Sequence, residues 1–331
     1  MAPGGYIMQT IEFHSWLSEP ISRFIEMHRL SGADYASQAR LLGYFDRFLV
    51  EQHTNGSLVT QRMVDHYLQS LSHLCPRGQF NRFSVVRQLC RYIAQTDPRC
   101  YVPETIRCVT SSTAFRPYIF NEQQIENLLS AASTLPPPES LRPYTYRTLF
   151  GLLYTTGIRI SEAFALTLEN FQAENDLLYI AEGKFRKARW VPLHPSTSRM
   201  LQWYVERRPR NGPRSPDSPL LVNFRGGRLR HCTVYHTFHQ LLEKCGIAHA
   251  RHTGPRLHDL RHTFAVHRLL AWYRDGQDVN ARLPALATYM GHVAVTSTQV
   301  YLRPTAELLE RVSNRFHNHY VDNVKCNGGR S

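Results

Sequence analysis

Near residue 97 the pattern of the chain changes, and that change limits its possible folds more than any other feature. From 12 to about 95, apolar residues recur at helical spacing with no alternating stretch; from Asp97 to Pro117 the periodicity stops. Prolines at 98, 103 and 117 and a Thr-Ser-Ser-Thr run fill the break, a composition that interrupts both helix and strand. A chain of 331 residues is also longer than one compact all-helical unit usually is. The expectation is a helical module over 12–97, a linker over 98–117, a larger domain over 118–320 and a polar tail over 321–331.

Within the first module, Phe13, Trp16, Leu17, Ile21, Phe24, Ile25 and His28 share a helical face, although Pro20 interrupts the run. A second helix is expected from Ala33, a third after Thr60 and a fourth from Asn81, with Arg82, Arg87 and Arg91 on or beside its polar side. Beyond the break, Asn121 with Gln124 three residues later is a capping-box signature for a helix through Leu129. A strongly apolar helix is expected over 143–156. Leu177–Ala181 and Trp190–Leu193 alternate with period two across a basic turn, so a hairpin sits in helical surroundings. Residues 209–219 read as a loop, and helices dominate from there to about 318. The fold class is mainly α with a small antiparallel β-sheet.

Formal net charge is +13, and a protein this basic usually meets a polyanion, most commonly nucleic acid. Lysine occurs only at Lys184, Lys187, Lys244 and Lys325, so chemistry that needs an ammonium group has few places to reside. Seven cysteines form no CxxC pair and no zinc spacing, which favours reduced thiols over a disulfide framework. No window approaches the roughly 18 apolar residues of a membrane span. The first twenty residues lack the basic start and unbroken apolar core of a signal peptide. The expectation is a cytoplasmic protein with no membrane partner.

Four segments carry the residues of chemical interest: TTGIRISEAFALTLENF (155–171), EGKFRKARWVPLHP (182–195), LHDLRHTFAVH (257–267) and MGHVAVTSTQVYLR (290–303). Each is modest alone. Gly-x-Arg before a helix is common, and His258, Arg261 and His262 could be surface polar residues. His258 and His262 are also i, i+4 neighbours, as in zinc-binding helices, but no glutamate follows His258 and no third ligand stands at a suggestive spacing.

Taken together and in order, the segments resemble the catalytic domain of tyrosine recombinases, the family of phage integrases and chromosome-dimer resolvases. The matching residues are Arg159 with Glu162, Lys184 at the hairpin, His258 with Arg261, the Gly291-His292 pair, and Tyr301 nine residues beyond that histidine. The resemblance covers about 117–320; the N-terminal helices resemble the family's core-binding domain only in size and helical character. The stretch WYRDGQDVNARLPALATY (272–289) is longer than in compact relatives and implies an added loop or helical extension.

The resemblance implies a two-domain clamp on double-stranded DNA and strand cleavage by Tyr301 through a 3′-phosphotyrosine. Arg159 and Arg261 would hold the non-bridging phosphate oxygens with forked, charge-assisted hydrogen bonds. His258 and His292 would bond the phosphate or exchange protons with it. Lys184 would protonate the departing 5′-oxygen, with Lys187 the runner-up. Glu162 would pin the Arg159 guanidinium, the alternative being an ordinary i, i+3 neighbour. Arg186, Lys187 and Arg189 would contact DNA, and base readout would come from helices in the major groove. No metal, ATP or other cofactor is implied. A homotetramer on two paired recombination sites is implied too, with the segment after Tyr301 docking on a neighbouring subunit; packing on its own domain is the alternative. The alternative functions are a type IB topoisomerase, which shares this chemistry, and a DNA-binding relative that no longer cuts.

Overall fold

The computed structural model describes residues 11–52, 56, 58–105, 117–181, 188–208, 215–247 and 254–292. The chain divides into two compact units, Met1–Arg116 and Pro117–Ser331.

The first unit holds helices α1 (Ser18–Leu30), α2 (Ala36–Glu51), α3 (Gln61–Ser70) and α4 (Pro76–Ala94). Pro20 does not break α1, because it lies in the first turn, where backbone N–H groups lack intrahelical partners anyway. Thr60 caps α3, its hydroxyl accepting from the Met63 N–H at 3.4 Å. The fourth helix starts earlier than expected, at Pro76, whose fixed φ suits a first helical position. Ile21, Phe24, Leu42, Phe45, Tyr67 and Leu89 are among the residues of its apolar core. Buried Asp46 accepts from the His14 and Ser15 N–H groups at 2.8 and 3.0 Å, tying the approach to α1 onto α2.

The expected linker begins too early. Cys100 is buried in this core, the Tyr101 N–H donates to the Val59 carbonyl at 3.0 Å, and Arg87 Nε donates to the Pro103 carbonyl at 2.8 Å. Apolar contacts and backbone hydrogen bonds outweigh the local proline signal, so 98–103 belong to the helical module. Residues 106–116 lie outside the described residues.

The second unit contains α5 (Glu122–Ser133), α6 (Arg142–Thr156), α7 (Ile160–Ala165), β1 (Phe171–Gln172), β2 (Leu177–Ile180), β3 (Arg189–Pro192), α8 (Pro195–Arg207), α9 (His231–Lys244), α10 (Leu257–Arg274) and α11 (Val279–Met290). The Asn121–Gln124 capping box forms as read, and α5 continues to Ser133. The sheet is antiparallel in the order β1-β2-β3, with Leu178 opposite Val191 and Ile180 opposite Arg189. The two-residue strand β1 was too short to leave an alternating signal.

Helix α6 is buried on nearly every side and packs against α5, α8 and α10. Its buried hydroxyl at Thr145 is satisfied by the Tyr204 hydroxyl at 3.0 Å and the Val222 carbonyl at 3.1 Å. The long segment after α10 forms a turn and then α11. Asp278 caps α11 by accepting from the Asn280 and Ala281 N–H groups. Leu283, Leu286 and Met290 pack with Leu269 and Leu270 of α10. Among the described residues no helix is long and apolar enough to cross a membrane.

Candidate active site

Two glycines at helix ends organise the site. Gly157 ends α6 at φ +62 and Gly291 ends α11 at φ +69, both left-handed conformations that favour glycine. Neither position has room for a side chain. A Cβ on Gly157 would strike the Phe264 ring, and one on Gly291 would lie 2.7 Å from Arg189 Nη1. Each glycine offers its carbonyl to an arginine: Arg261 Nη1 donates to the Gly157 carbonyl, and Arg159 Nη2 to the Gly291 carbonyl at 2.8 Å. Carbonyls at a helix C-terminus carry partial negative charge, so both guanidiniums sit where that charge favours them.

Arg261 is nearly fully buried, at 2% exposure, and such a charge persists only when it is well partnered. Its Nη2 also donates to the Met290 carbonyl at 2.7 Å and meets His292 Nε2 at 2.8 Å. A guanidinium only donates, so His292 Nε2 accepts and the ring proton lies on Nδ1. The turn from Met290 to His292 thus gathers Arg159, Arg261 and His292.

Arg159 is held on its other side by Glu162. The carboxylate accepts from Arg159 Nη1 at 2.7 Å and reaches back to the Arg159 backbone N–H at 2.8 Å, which orders the start of α7. Burial opposes the charge of Glu162. Its hydrogen bonds to Arg189 and Arg159 outweigh burial and hold the carboxyl below the usual carboxylate range. Glu162 thus bonds both the guanidinium and the backbone of Arg159.

Arg189 departs from expectation. Expected to contact DNA, it donates through Nη1 and Nη2 to the two Glu162 oxygens at 3.0 and 2.9 Å, and through Nε to the Tyr289 carbonyl at 2.9 Å. Its side chain is only 11% exposed. The reason is strand register: Val191 is fully buried, and side chains two apart on a strand share a face. The alternation of β3 carried this signal, but the basic turn beside it suggested an outward arginine.

His258 and His262 lie on α10 with rings edge to face at 4.8 Å. His262 Nε2 stands 3.9 Å from Asp259, which also pairs with Arg256 at 3.1 Å. Burial pushes the pKa of His258 down to about 4, helped by His262 and Arg261. His292 falls to about 4 for the same first reason, helped by Arg261 and Arg159, and His262 to about 4 through burial, Arg256 and Arg261. All three are therefore neutral at pH 7. Among the described residues no group of three or more His, Cys, Asp or Glu is placed to hold a metal ion, so the His258–His262 pair gains no third ligand there.

Lys184, Arg186, Lys187 and Tyr301 lie outside the described residues, as does the segment after Tyr301. Of the expected residues, Arg159, Glu162, Arg261 and His292 come together around one turn. His258 stands close enough that a proton on it would lower His292.

Residues 119–307 match the Phage integrase family. The Sinorhizobium fredii protein y4rB is 35% identical over 313 residues, covering 93% of this chain and 99% of the relative. The tyrosine recombinase XerD of Caulobacter vibrioides is 32% identical over 264 residues, covering 77% of this chain and 80% of the relative. Among solved structures, the Tn1549 transposon integrase in complex with a circular intermediate DNA aligns at TM-score 0.66 and 18% identity, covering 90% of this chain and 98% of that one. The XerH site-specific recombinase bound to its difH substrate aligns at TM-score 0.63 and 19% identity, covering 90% and 84%.

Proposed function

Since the chain belongs to the Phage integrase family and is a tyrosine recombinase, we propose that Tyr301 cleaves double-stranded DNA at a specific site and holds the strand as a 3′-phosphotyrosine until it is rejoined. The observation that carries this reading is the convergence of Arg159, Arg261 and His292 on the turn at 290–292, with His258 beside them.

Attack on a phosphodiester gathers negative charge on the non-bridging oxygens, and Arg159 and Arg261 are the groups that neutralise it. Both are already rigid, so little reorganisation accompanies the reaction. Two guanidiniums, Arg159 and Arg189, bond the single carboxylate of Glu162, and Arg261 adds a third at the turn that also holds Arg159, which leaves the site cationic and suited to a phosphate. Neutral His258 carries one donor and one acceptor, and His292, whose Nε2 accepts from Arg261, carries its proton on Nδ1, which suits hydrogen bonding at the phosphate. Tyr301 follows His292 by nine residues, a tether of at most about 30 Å even when extended. The covalent link conserves the phosphodiester energy, so rejoining needs no ATP.

Lys184 is the general acid for the departing 5′-oxygen in this reading, and Arg186 and Lys187 contact the DNA backbone. The working assembly is a homotetramer on two paired sites in the cytoplasm, with residues 304–320 docked on a neighbouring subunit.

The test separates nucleophile from acid. Tyr301→Phe should bind DNA and form no covalent complex with a suicide substrate. Lys184→Ala should cleave slowly and recover when the bridging 5′-oxygen is replaced by sulfur, whose low pKa makes protonation unnecessary. Covalent complex from Tyr301→Phe would remove that tyrosine from its role. Sulfur rescue of Lys187→Ala in place of Lys184→Ala would move the acid.

A further inference from the structure

Glu162 is saturated. Its Oε1 accepts from Arg159 Nη1 and Arg189 Nη1, and its Oε2 from the Arg159 N–H and Arg189 Nη2. Arg189 supplies two of these four donors and spends its third nitrogen on the Tyr289 carbonyl. A second bond joins the same elements, since the Tyr289 hydroxyl donates to the Pro192 carbonyl at 3.1 Å. Gly291 lies so close to Arg189 that any Cβ there would strike the guanidinium. One side chain at the foot of the hairpin therefore touches the carboxylate that aims Arg159 and the backbone on which both guanidiniums rest.

We propose that Arg189 is a positioning residue for strand cleavage, fixing Arg159 through Glu162 and holding the Gly291–His292 turn against β3. One observation separates this from a DNA contact: each of its nitrogens donates within the protein. A further feature separates it from a core contact. Its bonds end on Glu162, which holds Arg159, and on Tyr289, next to the Met290–His292 turn that Arg261 and His292 share, so its loss misplaces those groups by small distances while the apolar core stays intact. The inference rests on the reading that Arg159 and Arg261 act on the scissile phosphate.

The experiment compares wild type, Arg189→Gln and Arg189→Lys on three suicide substrates. These carry an ordinary phosphate, a 5′-bridging sulfur, or a methylphosphonate in which one charged oxygen is replaced by a methyl group. At saturating DNA, Arg189→Gln should form covalent complex about 100-fold more slowly on the ordinary phosphate, the scale of a small misplacement of reacting groups. DNA affinity and its salt dependence should be unchanged. The deficit should persist with the sulfur substrate and shrink with the methylphosphonate, where the guanidiniums have less charge to neutralise. Arg189→Lys keeps a cation against Glu162 but cannot also fork to Tyr289, so it should recover part of the rate. It carries the same comparison if the glutamine variant does not fold.

A loss of affinity with a salt slope smaller by about one, at unchanged saturated rate, would make Arg189 a DNA contact and overturn the proposal. Equal slowing on all three substrates would make it merely structural, and a wild-type rate would give it no role. Wild-type protein that forms no covalent complex overturns the proposed function itself, whereas wild-type cleavage with an indifferent Arg189 overturns this inference alone.

Discussion

At the start of α7, Arg159 is followed three residues later by Glu162; at the start of α10, Arg256 is followed by Asp259 at the same spacing. The local chemistry is nearly identical. Each acid accepts from its arginine's backbone N–H at 2.8 Å and pairs with the same arginine's guanidinium, at 2.7 Å in α7 and 3.1 Å in α10. Each acid is almost fully buried. The arginines differ. The Arg159 side chain is 18% exposed and reaches the Gly291 carbonyl, whereas that of Arg256 is 46% exposed. Glu162 has a second guanidinium in Arg189, while Asp259 has the imidazole of His262. A capping acid with an ion pair is therefore enough to stiffen an arginine at a helix start. Arg159 adds to that a bond to the Gly291 carbonyl, which places it on the turn that Arg261 and His292 share.

The largest difference should appear when the two acids are neutralised without changing shape. Glu162→Gln leaves two guanidiniums facing an amide that cannot balance them, in a buried setting, and should cost about 3 kcal/mol because uncompensated buried charge is expensive. Covalent complex should fall below detection. Asp259→Asn removes a pair whose cation is nearly half in water, and should cost about 1 kcal/mol. Denaturant unfolding of both variants checks the order. Equal costs would mean that the second arginine and the distant carbonyl add nothing, and the contrast between the two helix starts would collapse.

That contrast also marks how far the sequence could be read. Arg159, Glu162, His258, Arg261 and His292 were legible because their motifs are short-range, and short-range motifs survive without knowledge of the fold. The helices were legible from their period, including Thr60 and the Asn121 capping box, which form as expected. Arg189 was misread because a strand residue's direction depends on register, which pairing with β2 decides and charge does not. The parity of Arg189 with buried Val191 was the available clue. The carbonyls of Gly157, Met290 and Gly291 left no trace in the sequence, since any residue has a carbonyl. Only the left-handed glycines hinted that backbone approaches closely there. The overlong linker was an error of a different kind: prolines at 98 and 103 signal a local break, but Cys100 and Tyr101 pack on the module regardless.

A smaller effect concerns pH. His258, His262 and His292 each stand at about 4, below the ordinary histidine value, first because burial penalises their charge. Folded-state values below unfolded ones mean that the unfolded chain binds more protons between them. Stability from these groups is thus present above about pH 6.5 and lost as pH falls toward about 4. Thermal melting should show this decline well above the range where Glu162 takes up a proton. A flat profile between pH 7 and 5 would show that the imidazoles are not buried as described.

The smallest expected effect sharpens the comparison most, because it asks whether Arg256 is electrically part of the site at all. Its charge lowers His262 second only to burial, acts last and least among the causes on His258, and is absent from the causes acting on His292. Arg256→Gln removes that charge and leaves Asp259 without its guanidinium, 3.9 Å from His262 Nε2. Both changes favour a protonated His262, so its pKa should rise, His258 should rise less, and His292 should stay. Burial is the first cause at all three rings, so none should return to the ordinary histidine value. Imidazole NMR titration of the variant reads the three shifts separately. If His292 moved as much as His262, the charge of Arg256 would reach the turn that holds Arg159 and Arg261, and the two helix starts would form a single electrostatic unit.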